Sequence, residues 1–175
     1  ILISILFLES ISAQRILNPL SQTDIPADLP IPKITYSNQP TDGYIFASLP
    51  YWGVGNNYLA IYNNLGEPVF YRKTNSTCTD FKLNPNGLIT YFDYSTNKFY
   101  ALDYKMNVVD SFWTKNGWKT DEHDIKFLEN GNVLLIGLDY KLVDMSTLVE
   151  GGNRNASIVV NVVQEIDKNK NVVFE

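Results

Sequence analysis

The sequence predicts an all-β protein. Short runs of β-branched and aromatic residues, bounded by Gly, Asn, Asp and Pro, recur from residue 42 to residue 175. No stretch of the chain shows convincing helical periodicity. Several features of these runs return at a fixed spacing, which is typical of a fold built from repeated units.

The expected strands are apolar runs separated by polar turns. They lie at Tyr44–Phe46, Tyr58–Tyr62, Val69–Tyr71, Leu88–Phe92, Phe99–Leu102, Val108–Trp113, Val133–Ile136 and Ile158–Ile166. Upstream of them, five prolines occur between residues 15 and 42. Proline disrupts helix interiors and central strands, so residues 14–41 are expected to form an extended lead-in.

The repeat has a period of 44 residues, which separates Gly43, Gly87 and Gly131. Asp80-Phe81-Lys82 and Asp124-Ile125-Lys126 have the same spacing. A period in the forties with about four strands per unit is typical of β-propeller blades, because each small sheet buries its faces against its neighbours. We therefore expect residues 42–175 to form about three blades of a truncated propeller, with apolar faces exposed at both ends.

The third unit is longer than the others. About twenty residues, from Gly137 to Ser157, are inserted between two of its strands. Insertions on a repeat scaffold often project from the binding face, so the segment is either a binding surface or a structural flap over the rim.

The N-terminal residues resemble part of a secretory signal peptide. Ile1–Leu8 is apolar apart from Ser4, and small residues follow, with a plausible cleavage point after Ala13. A bilayer-spanning helix needs about 20 apolar residues, so this run is too short, and we expect no membrane span. Residues 1–13 are thus interpreted as a signal peptide remnant of a secreted or periplasmic protein; the alternative is a short buried core segment.

Charge and cysteine content exclude several classes of function. The formal net charge is −5 and no run of Lys or Arg exceeds a dipeptide, so a nucleic-acid partner is not expected. Cys78 is the only cysteine, which rules out a disulfide within these residues. The chain also lacks a Gly-rich phosphate loop and a GxSxG elbow, and we expect no cofactor.

His123, the only histidine, is the principal candidate for chemistry. We expect it in a loop that enters the innermost strand of a blade, at the mouth of the channel. The neighbouring Asp121, Glu122 and Asp124 could fix its tautomer and raise its basicity, or could be solvated loop charges. A metal held by Asp121, His123 and Asp124 would lack the ligand spacing of zinc sites, so no metal is expected.

A set of motifs resembles the bacterial arylsulfotransferase family. The motifs are TDEHDIKFLENGNVLL at residues 120–135, VDMS at 143–146, Gly151-Gly152, VVQEID at 162–167 and NVVFE at 171–175. Upstream, DGYIF at 42–46, NLGEPVFY at 64–71 and DFK at 80–82 are also similar. The similarity runs from residue 26 onward, and its most specific part is the His-Asp pair followed by Asn-Gly-Asn.

The resemblance implies a secreted or periplasmic six-bladed propeller. Such an enzyme would move a sulfuryl group from a phenolic sulfate ester to a phenol through a sulfohistidine, without a nucleotide cofactor. His123 matches the His-Asp motif as one of several active-site histidines. The nucleophilic histidine and the other basic groups are expected beyond residue 175, so these residues alone are expected to be inactive.

From the chemistry, we expect His123 to contact the sulfuryl group or to assist proton transfer, with Asp124 or Asp121 orienting it. The alternative function is a non-catalytic secreted propeller that binds a partner, in which the His-Asp motif only packs blades together.

Overall fold

The computed structural model describes residues 20–49 and 56–175. The expected signal remnant, residues 1–13, lies outside the described residues. The described strands are β1 (Tyr44–Leu49), β2 (Asn57–Asn63), β3 (Pro68–Thr74), β4 (Cys78–Leu83), β5 (Ile89–Asp93), β6 (Lys98–Leu102), β7 (Val108–Phe112), β8 (Lys119–Phe127), β9 (Val133–Val143), β10 (Ala156–Ile166) and β11 (Val172–Phe174). Two short 3-10 helices lie at Gln22–Asp24 and Met145–Thr147. In the part that the structure describes, no helix is long and apolar enough to cross a membrane.

The strands form three antiparallel sheets, each following chain order. Sheet I contains β1 to β3, sheet II contains β4 to β7, and sheet III contains β8 to β11. The prediction of an all-β fold is confirmed. The apolar runs did not indicate β4 or β8, which are the first strands of sheets II and III.

The sheets pack face to face through apolar side chains. Leu59 and Ile61 of sheet I share a buried cluster with Phe81 and Tyr91 of sheet II. On the opposite face of sheet II, Phe92 and its neighbours pack against sheet III, in a cluster formed by Phe92, Phe99, Ala101, Phe112, Ile125, Val133, Leu135 and Ile166. Successive residues of a strand point to opposite faces of the sheet, so Tyr91 packs against sheet I and its neighbour Phe92 packs against sheet III.

Two of the three repeated glycines occupy equivalent turns. Gly87 and Gly131 have φ angles of 82° and 84°, in the left-handed region that favours glycine. In each turn, the side-chain oxygen of the preceding asparagine, Asn86 or Asn130, accepts a backbone N–H two residues ahead. Gly43 does not have a left-handed φ, so its equivalence, which the spacing predicted, is wrong.

A second turn also repeats, between the last two strands of each sheet. The Oδ1 atoms of Asn63, Asp103 and Asp167 each accept backbone N–H groups from the residues two and four positions ahead. This side chain holds the tight turn closed in all three sheets, because it replaces a backbone acceptor. The repeat is therefore one of turn chemistry as well as of strand pattern.

The proline-rich lead-in covers the outer face of sheet I. Leu29 is buried with Tyr58, Ala60 and Tyr62 of β2. The hydroxyl of Tyr58 donates to Asp28 at 2.8 Å, which fastens the extended segment to the sheet. The expectation of apolar faces exposed at both ends is thus wrong for sheet I, because the lead-in supplies the missing partner.

The outer face of sheet III is exposed. Paired residues of β9 and β10 lie on the same face, and those on the outer one include Tyr140, Val159 and Val163, all exposed. The same pairing corrects the interpretation of the insertion: β9 and β10 remain hydrogen-bonded as far as the pair Val143 and Ala156, so both ends of the insert extend these two strands and only residues 144–155 form the connection between them. Within β9, Leu138, Tyr140 and Leu142 alternate with polar residues, a pattern that favours strand over loop.

Candidate functional site

The candidate site lies on β8, the first strand of sheet III. Thr120 pairs with Gly137 and Ile125 pairs with Leu135, so the register shifts between these two pairs and the four residues from Asp121 to Asp124 bulge out of the ladder. His123 therefore lies within an irregular strand, and the expectation of a loop is wrong. Bulges of this kind turn side chains away from the regular alternation and are frequent beside functional sites.

Asp121 orients the imidazole of His123. Its Oδ1 lies 2.9 Å from Nδ1 of His123 and also accepts the backbone N–H of His123 at 3.0 Å. The Asp121 side chain is only 14% exposed, whereas that of His123 is 77% exposed. The imidazole is therefore held at Nδ1, and Nε2 has no partner among the described residues.

The pKa of His123 is raised above its ordinary value. The principal cause is the hydrogen bond with Asp121, and the negative charges of Asp121, Glu122 and Asp80 act in the same direction. Both effects favour the protonated ring. At neutral pH a larger fraction of this imidazole is therefore protonated than of an isolated histidine.

Asp124, the other predicted partner of His123, points elsewhere. Its carboxylate accepts a hydrogen bond from the Lys82 ammonium, which also lies 2.7 Å from Oδ2 of Asp80. Burial alone would lower the pKa of Lys82, but the hydrogen bonds to Asp124 and Asp80 outweigh it and raise that pKa. Of the two carboxylates proposed to orient His123, the geometry assigns that part to Asp121.

Sheet II supplies further groups around the bulge. Asp80 has a φ of 49°, and it sits where the β4 register with β5 shifts. Burial raises the pKa of Asp80, against the opposing effects of Lys82 and of the backbone N–H of Ile125. Two hydrogen bonds then join the sheets: Thr79 donates to the carbonyl of Glu122 at 3.1 Å, and Tyr94 donates to the Glu122 carboxylate at 2.9 Å.

Sequence reasoning missed the sheet II contribution in part. The spacing of Asp80-Phe81-Lys82 and Asp124-Ile125-Lys126 marked Asp80 and Lys82 as repeated positions, but not as neighbours of Asp124. Nothing in the sequence singled out Tyr94. Burial first, and then the hydrogen bond to Glu122, raises the pKa of Tyr94 to about 12, so its hydroxyl stays protonated and acts as a donor.

Asp121, Glu122 and His123 also have the composition of a metal-binding group. One potential ligand atom from each lies within 4.8 Å of the others. The carboxylates are already engaged, however, Asp121 with His123 and Glu122 with Tyr94. Coordination of a metal ion by all three groups would have to compete with these two hydrogen bonds.

The charges around the bulge are predominantly negative. Four carboxylates, those of Asp80, Asp121, Glu122 and Asp124, face one ammonium, Lys82, and one imidazole, His123. An anionic substrate would need further cations here, because the ammonium is already paired with two carboxylates. Around the bulge, the described residues thus hold an imidazole but no unpaired cation.

The chain matches no protein-family model and no curated protein, so its likeness to the arylsulfotransferases rests on the motifs alone.

Proposed function

We propose that the chain is part of a β-propeller of the arylsulfotransferase type, in which His123 is an acid–base group of the sulfuryl-transfer site. The propeller is supported by three consecutive antiparallel sheets stacked face to face, with β1 against β4 and β4 against β8. Stacking of successive four-stranded sheets through their first strands is the arrangement of propeller blades.

The observation that carries the catalytic proposal is the contact between Asp121 and His123. A carboxylate at Nδ1 fixes one tautomer of the ring and leaves Nε2 for the substrate. Because the pKa of His123 is raised, its ring is more often protonated and can donate a proton to a departing phenolate.

In the proposed reaction, the bond between sulfur and the phenolic oxygen of the donor ester breaks, and a nitrogen–sulfur bond forms on a histidine acceptor. The departing phenolate takes the proton from Nε2 of His123. In the second half, the acceptor phenol returns a proton to Nε2 as its oxygen attacks sulfur and the nitrogen–sulfur bond breaks. The donor is a phenolic sulfate ester and the acceptor is a phenol. A single imidazole does not serve as both sulfuryl carrier and proton donor in this scheme, so the carrier is a second histidine.

The test is turnover of a chromogenic aryl sulfate with a phenol acceptor in the full-length protein. His123→Asn should reduce kcat/KM by about 100-fold, the scale for a lost acid–base group. Lys126→Gln, an exposed change on the same strand, is the matched control and should leave turnover unchanged. Turnover by His123→Asn equal to that of the unsubstituted protein would refute the catalytic role.

A second function is favoured by the negative charge of the site and by its contacts between sheets. Asp80, the repeat equivalent of Asp124, faces the backbone N–H of Ile125 in the next sheet, which is a packing role. If Asp124 has the same role, the protein is a non-catalytic secreted propeller that binds a partner. In that case the full-length protein turns over no aryl sulfate, with or without the His123→Asn substitution.

A further inference from the structure

Three lysines gather around two aromatic rings at the end of β7. The Nζ atoms of Lys98 and Lys115 lie 4.1 Å and 3.3 Å from the centroid of the Trp113 ring. Nζ of Lys170 lies 3.6 Å from the centroid of Phe112, the residue before Trp113. All three lysines are half-buried. The aromatic faces attract the ammonium groups and hold them close together.

Only one of these three charges is neutralised. Lys170 pairs with Asp110 at 2.7 Å, while Lys98 and Lys115 have no carboxylate partner among the described residues. Burial lowers the pKa of Lys115, and the like charges of Lys170 and Lys98 lower it further. In a chain with a net charge of −5, this is a local concentration of positive charge.

The fold holds the two unpaired lysines in place. Lys98 begins β6, and the next residue, Phe99, pairs with Phe112 in β7, so Lys98 and Trp113 are neighbours across the ladder. The backbone of Lys115 is clamped by Gln164, which accepts its N–H at 2.7 Å and donates to its carbonyl at 3.2 Å. The Gln164 side chain is itself fully buried.

We propose that Lys98 and Lys115, held over Trp113, form a binding site for an oxyanion group such as sulfate or phosphate. The ammonium groups of Lys98 and Lys115 repel each other, and a doubly charged anion that contacts both offsets this repulsion. Tetrahedral oxyanions offer several acceptors to the donors of a lysine pair. The site shares no residue with the bulge of β8, so it does not depend on the proposed sulfuryl transfer.

The oxyanion has two possible sources, a free inorganic ion or the charged group of an aromatic ester. The test is calorimetric titration with inorganic sulfate and, separately, with phenyl sulfate, at constant ionic strength set with sodium chloride. Saturable binding of either is expected. Equal affinities identify the free ion as the ligand, and tighter binding of phenyl sulfate identifies the ester.

The variants Lys115→Gln and Lys98→Gln should each weaken binding by about tenfold, because each removes one of two charges. Lys105→Gln is the control: it removes the same charge from a lysine 5.5 Å from the Tyr104 ring centroid, outside the cluster, and should bind as the unsubstituted protein does. Neither lysine at Trp113 is in the core, and the relief of repulsion opposes the lost attraction to the ring, so both variants should melt close to the unsubstituted protein at low salt. The absence of saturable binding, or an equal loss in Lys105→Gln, would overturn the proposal.

Discussion

Asp80 and Asp124 occupy the same position in successive 44-residue units, and the ammonium of Lys82 lies between their carboxylates. Their surroundings nevertheless differ. The Asp80 side chain is 14% exposed and faces the next sheet, whereas that of Asp124 is 61% exposed. One repeated residue is therefore a buried contact between sheets, and its equivalent lies at an open face.

That difference predicts unequal effects on stability. Asp80→Ala should lower the free energy of unfolding by about 1–3 kcal/mol, because it removes a partly buried acceptor facing Lys82 and Ile125. Asp124→Ala should change it by less than about 0.5 kcal/mol, as is usual at exposed positions. Urea denaturation of both variants measures the two values. Equal losses would mean that Asp124 is as well packed as Asp80.

The contact between Asp121 and His123 predicts a change in titration. Asp121→Asn removes the hydrogen-bonded charge that raises the pKa of His123, so this pKa should fall. The imidazole resonances of the single histidine report it directly by NMR. Asp124→Asn is the control, because Asp124 pairs with Lys82 and should leave the His123 pKa nearly unchanged. A fall of the same size in both variants would contradict the assignment of Asp121.

The same contact predicts the pH dependence of stability. Because the folded-state pKa of His123 is raised, its contribution is fully present below the unfolded-state pKa and is lost as pH rises through the folded-state pKa. The slope of melting temperature against pH in this window should flatten in Asp121→Asn. The effect should be small, since His123 is largely exposed and the pair is screened by solvent. An unchanged slope would show that the pair contributes nothing.

The repeated turns predict a contrast between glycines. Gly87→Ala and Gly131→Ala should each cost about 1–2 kcal/mol, since both glycines have a left-handed φ that an L side chain disfavours. Gly43→Ala is the matched control: its φ is not left-handed and nothing lies within 4 Å of an added Cβ. Chemical denaturation should show this control to be close to neutral. A large loss in Gly43→Ala would restore the equivalence that the spacing suggested.

The packing of the lead-in on sheet I predicts a further effect on stability. Leu29→Ala should destabilise the protein by about 2 kcal/mol, the lower end for a buried leucine, because an extended segment can relax into the space. Ile31→Ala, two residues away and 52% exposed, should cost less than about 0.5 kcal/mol. Thermal and urea unfolding compare the two. Equal and small effects would mean that the lead-in does not cover sheet I in solution.

Local patterns determined much of the fold. Alternation of β-branched and aromatic residues indicated most strands, and the asparagine–glycine turns at Gly87 and Gly131 followed from residue chemistry, because only glycine adopts the required φ at little cost. The alternation of apolar and polar residues did not predict strands β4 and β8, because polar residues and register shifts interrupt it there. The sequence predicted which residues surround His123. It did not predict which of Asp121 and Asp124 contacts the imidazole, or that Lys82 and Tyr94 of sheet II bind Asp124 and Glu122.

The sequence by itself determined that the chain is β-rich, that it repeats every 44 residues and that His123 stands among carboxylates. Only the tertiary structure decided which carboxylate contacts the imidazole. In the bulge of β8, Asp121 is hydrogen-bonded to His123, whereas Asp124 accepts a hydrogen bond from Lys82. It also decided that the lead-in covers sheet I and that Lys98 and Lys115 meet over Trp113. Local propensity acts over a few residues, whereas the pairing of Asp124 with Lys82, the packing of the lead-in on sheet I and the meeting of Lys98 and Lys115 join positions that are far apart in the sequence.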